Sequence, residues 1–156
     1  MSGVLTQILM GILALMVLAA AVWDIRTRTI PNSLNAAIAA LAVPFWLASG
    51  LDFWPDIAIH IGIGAAVLGL FAIAFAMGAM GGGDVKFVAA IALWLRPDAV
   101  LLLLVIMSLA GGALTLFMLA RHRLAKADHK LEIPYGVAIA IGGIWLIAER
   151  FLNQFA

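Results

Sequence analysis

The feature that most constrains this chain is a succession of apolar runs broken only by short polar links. An apolar stretch of about 20 residues crosses the ~30 Å hydrocarbon core of a bilayer as a helix. In that core every backbone polar group must be satisfied internally, which suits helices that bond within themselves. The runs fall at Val4–Trp23, Ser33–Gly50, Ile57–Met80, Val85–Leu95, Ala99–Ala120 and Ile133–Ala148. With 66% hydrophobic residues, 11% charged ones and a mean hydropathy of +1.18, the chain departs far from the half-apolar, quarter-charged norm of soluble domains. The expectation is an all-α polytopic membrane bundle of about six transmembrane helices, a single domain over residues 1–156. No Lys or Arg precedes the first run, so it is read as a span and not as a removed signal peptide. Pro44 is a candidate kink in the second run, and the glycine-rich stretches 62–69 and 108–114 are candidate helix-packing faces.

Charge placement orients the bundle. With six crossings, the links 24–32, 81–86 and 121–132 share one side and hold Arg26, Arg28, Lys86, Arg121, Arg123, Lys126 and Lys130, against Arg96 and Arg150 on the other. Loops rich in Lys and Arg stay in the cytoplasm, so both termini are expected on the periplasmic side. Were the short fourth run re-entrant, the most basic link would be exported. At 1.5 Å per residue that run reaches only about 16 Å, which places the preceding glycines at or below the cytoplasmic membrane surface. Trp23, Trp46, Trp54 and Trp94 fall near predicted span ends, where interfacial aromatics belong.

The same parity puts Asp24, at the end of the first run, and Asp84, at the start of the fourth, on one side and at similar depth. Ionisable groups at membrane depth are costly and usually face the bundle interior or a wet cavity. Two carboxylates brought close share a proton and titrate as a pair. The ionised member takes a proton from water while the neutral one donates to a carbonyl oxygen, the logic of aspartic proteolysis. This chemistry requires no cofactor, and the chain has no cysteine to serve as nucleophile or metal ligand. The glycines before Asp84 are expected to open a non-helical notch where another backbone approaches closely. The plain alternative makes Asp24 a helix-end charge paired with Arg28, and Asp84 a helix cap. A rival function is a small proton- or ion-coupled transporter using the acids as a relay. Such a carrier would hold its acids near the midplane, whereas these lie toward one face.

The stretch "DIRTRTIPN" at 24–32 resembles the D-x-R-x-x-x-I-P-N motif of type IV prepilin peptidases, "GGGDVK" at 81–86 resembles their G-x-G-D-x-K, and "EIPYG" at 132–136 resembles an element before their last helices. The resemblance implies an aspartic endopeptidase of the bacterial inner membrane, with Asp24 and Asp84 as the catalytic pair, that removes prepilin leaders at the cytoplasmic face. Arg26, Pro31, Asn32, Gly81, Gly83 and Lys86 match supporting motif positions, and Glu132, Pro134 and Gly136 are candidate substrate-side residues. Larger family members carry a cysteine-rich cytoplasmic insertion and also methylate the new pilin end. This chain has neither the insertion nor any cysteine. It is similar to the short, tight-adherence (Flp-type) members, and no methyltransferase activity is expected.

The implied partners are a prepilin, with its basic leader and hydrophobic helix, and membrane lipid; nothing points to nucleic acid. Lys86 is read first as a headgroup anchor and Asn32 as the N-cap of the second helix. His60, His122 and His129 are too dispersed for a helix-face metal pair, so no metal is expected.

Overall fold

The computed structural model describes residues 2–124 and 133–153, and all regular structure among them is helical. The order is α1 (Ser2–Thr27), α2 (Asn32–Ala48), a kinked turn at Phe53–Ile57, α3 (Ala58–Ala76), α4 (Gly82–Ala92), α5 (Pro97–Leu124) and α6 (Tyr135–Asn153). The segments Gly3–Thr27, Phe53–Ala76, Pro97–Leu124 and Tyr135–Leu152 are long and apolar enough to cross a membrane, and α2 is a shorter apolar helix of 17 residues. It continues through Pro44. The protein is thus an all-α helical membrane bundle with several crossings. Of the basic link expected after α5, Arg121 and Arg123 extend that helix, whereas Lys126, Lys130, His129 and Glu132 lie outside the described residues.

Exposure is inverted relative to a soluble fold. Leu15, Leu47, Leu101, Leu109, Leu116 and Phe117 are each more than 60% exposed, the distribution expected of surfaces solvated by lipid. The interior is organised around α4, which packs on α2, α3 and α6, while α6 also packs on α1 and α5. Val85 and every residue from Phe87 to Ala92 are buried, so this helix is apolar all round and shielded by its neighbours. That is why 11 residues suffice. The ends of a short helix are tolerated at membrane depth when protein surrounds them.

The same enclosure corrects the reading of two tryptophans. Trp46 and Trp94 are 5% and 1% exposed and lie in the protein core, not at a lipid interface. Trp94 Nε1 donates to Ile38 O at 2.9 Å and Trp46 Nε1 to Leu93 O at 2.8 Å, so the indoles tie α2 to the end of α4. Trp23 and Trp54 remain exposed, as interfacial residues should. His60 is buried beside Trp46, with ring centroids 6.1 Å apart, at the end of α4 away from Asp84.

Candidate active site

The last turn of α1 and the first turns of α4 and α6 converge. Asp24 projects from α1 and is only 3% exposed. The helix closes just beyond it: Arg28 adopts a left-handed conformation (φ 56°) and its N–H donates to Asp24 O at 2.9 Å, a C-terminal αL closure. Among the described residues no salt bridge joins Asp24 to Arg28, so the helix-end ion pair is not what holds the acid. Arg28 closes the helix through its backbone, and its charge reaches Asp24 from beyond ion-pair distance.

The chain then turns inward at Ile30, which is 5% exposed, and enters α2 through Pro31, whose backbone is extended (φ −58°, ψ 136°) and serves as the N-cap. Asn32, expected to cap α2, is its first helical residue; its Oδ1 accepts a hydrogen bond from Lys86 Nζ at 2.9 Å. Lys86 is thereby tethered between α2 and α4. Asn35, buried one turn further, donates through Nδ2 to Gly83 O at 3.0 Å. Arg26 is exposed and stands apart from this cluster.

Each motif glycine has a steric reason. Gly81 is the extended N-cap of α4 (φ −72°, ψ 143°), and the Asp84 carboxylate folds back over it, so a methyl there would lie 2.9 Å from Asp84 Oδ2. An acid at the third helical position turned toward the N-cap suits the positive helix end. A methyl on Gly83 would stand 3.2 Å from Ile30 N and 3.3 Å from Ile30 O, and one on Gly82 would stand 3.3 Å from the Phe75 ring. The expected non-helical notch is therefore shorter than the glycine run. Gly82 and Gly83 already belong to α4, and their role is to admit neighbouring atoms.

Gly136 closes the site from α6. A methyl on it would fall 2.8 Å from Asp24 Oδ2 and 2.8 Å from Ile30 Cδ1. Its backbone amide faces both carboxylates, the Val137 amide also faces Asp24, and the two acids are near enough for their charges to interact. Asp24 Oδ2 is nevertheless buried without a hydrogen-bond partner among the described residues. Pro134 is buried beside this turn.

Two residues of the site escaped sequence reasoning. Ile30 lies inside a recognised motif, but its apolar side chain gave no chemical signal that it would wedge between Gly83 and Gly136. Asn35 carried a weak one, a lone amide in an otherwise apolar helical run.

The model of the type IV leader peptidase family matches residues 11–116, which contain Asp24 and Asp84 but end before Gly136. No curated protein and no solved structure gives a significant match. The match covers well over half of the chain, and the protein belongs to the type IV leader peptidase family.

Proposed function

We propose that this multi-pass membrane protease is an aspartic endopeptidase that removes the leader from type IV prepilins, Flp-type ones in particular, at the cytoplasmic face of the bacterial inner membrane. The observation that carries this reading is the convergence of Asp24 and Asp84 on the amide of Gly136. Two acids facing one another across a single peptide unit hold one proton between them more readily than none or two. The ionised carboxylate removes a proton from water, and the water oxygen adds to the scissile carbonyl carbon. The protonated carboxyl gives its proton to the carbonyl oxygen. Collapse of the tetrahedral intermediate breaks the C–N bond, with the proton delivered to the departing amine. The leader leaves with a new carboxylate and the pilin keeps a new amino terminus. Methyl transfer is not part of this reading.

The arrangement also weighs against a proton relay, because both acids sit at the ends of α1 and α4 and not midway along them. Arg26, Arg28, Lys86, Arg121 and Arg123 lie on the links and helix ends of that same side, which supports a cytoplasmic active site. The test is co-expression with candidate prepilins, reading leader loss by gel shift and mass spectrometry. Loss of the leader only when the protease is present supports the reading. Unprocessed prepilins beside a properly inserted protein would overturn it.

A further inference from the structure

Two apolar hollows lie one above the other between α3 and α5. One of about 330 Å³ is bounded by Ile63, Val67 and Leu70 of α3 and by Pro97, Leu101 and Leu104 of α5. The other, of about 460 Å³, is bounded by Phe71 and Ala74 of α3 and by Ser108, Gly112, Thr115 and Leu116 of α5. These residues continue a single face of each helix, as positions three and four apart do. The lining on α5 runs from Pro97 to Leu116, which at about 1.5 Å per residue is about 28 Å, close to the ~30 Å thickness of the hydrocarbon core.

The wall is almost wholly apolar. No charged residue lines either hollow. The hydroxyls of Ser108 and Thr115 donate to Leu104 O at 2.6 Å and Gly111 O at 2.7 Å, within their own helix. Gly112, on a stretch expected to be a packing face, has no atom within 4 Å of where its Cβ would stand. At its other end the cleft reaches Met80 and Tyr135. These immediately precede Gly81 and Gly136, the glycines against which Asp84 and Asp24 rest.

We propose that the α3/α5 cleft seats the membrane-spanning apolar helix of the prepilin, so that the leader junction emerges at Met80 and Tyr135 beside the two aspartates. This rests on the protease reading above. Length and lining select the occupant: a full-depth cleft matches an apolar helix, because its walls carry no cationic group and the first on this face of α5, Arg123, stands beyond Leu116. The hollow of about 490 Å³ between α2, α3 and α4 does have such a group, Lys86, together with Asn32 and Asn35. It lies on the wrong side of α4, because Lys86 and Asp84 are two residues apart and point to nearly opposite helix faces.

The chain has no cysteine, so single cysteines report cleanly. In the Asp84→Asn background, which should bind without cutting, Gly112→Cys and Ala74→Cys should cross-link to cysteines placed along the hydrophobic segment of a Flp-type prepilin. Ala65→Cys, in the other hollow, should not. With the catalytic pair intact, Gly112→Phe should raise KM by about tenfold or more with kcat near wild type, the mark of lost uniform binding. Ala65→Phe should change neither. Cross-linking through Ala65→Cys, a wild-type KM for Gly112→Phe, a Gly112→Cys homodimer or adducts with phospholipid alone would each overturn the docking assignment. A wild-type enzyme that cleaves while giving any of these results leaves the protease reading standing. A wild-type enzyme that cleaves no prepilin removes both.

Discussion

Gly136 is the residue on which the site turns, because its missing side chain is what lets Asp24, Ile30 and the α6 amide meet. A methyl 2.8 Å from a carboxylate oxygen must push something aside, and overpacking of this kind costs roughly 1–3 kcal/mol. Gly136→Ala should therefore cut leader cleavage by at least about tenfold, whereas Gly11→Ala, with open space around it on α1, should cleave like wild type. Equal activity of the two variants in a cleavage time course would mean that Gly136 does not organise the acids. Asn35→Leu should lower the thermal unfolding temperature, because the hydrogen bond from Asn35 to Gly83 O that ties α2 to α4 is lost, at a cost of about 0.5–1.5 kcal/mol. The paired acids make a further prediction. Cleavage rate against pH should be bell-shaped, since the doubly ionised and the doubly protonated pair each lack one partner of the acid–base couple. A monotonic profile across the stable range would point to one working acid.

At the scale of elements, the short buried helix α4 separates what the sequence makes legible from what it does not. Apolar runs locate all the helices, and counting crossings brings Asp24 and Asp84 to one face, because both inferences need only local composition and chain order. Burial of α4 depends on which helices surround it, and no run length reports that. The placement of Trp46 and Trp94 at a lipid interface fails for this reason: the end of a span is an interface only if the span touches lipid. Likewise the glycines of "GGGDVK" announce a close approach, but not that Ile30 is what approaches. Trp94→Phe should destabilise the fold by about 1–3 kcal/mol, since a buried indole gives up its bond to Ile38 O and the smaller ring leaves space in the core. Trp23→Phe, at an exposed position, should stay within about 0.5 kcal/mol of wild type. Thermal or denaturant unfolding of the two variants in one detergent compares them directly.

For the whole molecule, the bundle places its basic links and both acids at one end, with Arg96, Arg150 and His60 at the other. The helix ends of α4 and α6 present positive dipoles to the carboxylates, while the hollow between α3 and α5 reaches Met80 and Tyr135 next to them. A membrane-impermeant maleimide applied to spheroplasts should label Asp52→Cys and spare Thr29→Cys, both of which sit on exposed links; the reverse pattern would place the acids outside the cell. Leader cleavage depends above all on the two carboxylates acting together. Its most direct test is cleavage of a Flp-type prepilin in reconstituted vesicles by the wild type, Asp24→Asn and Asp84→Asn, each confirmed folded and inserted. The prediction is leader removal by the wild type and a loss of at least about a hundredfold in each variant. Retained cleavage in either one would contradict the paired-carboxylate mechanism.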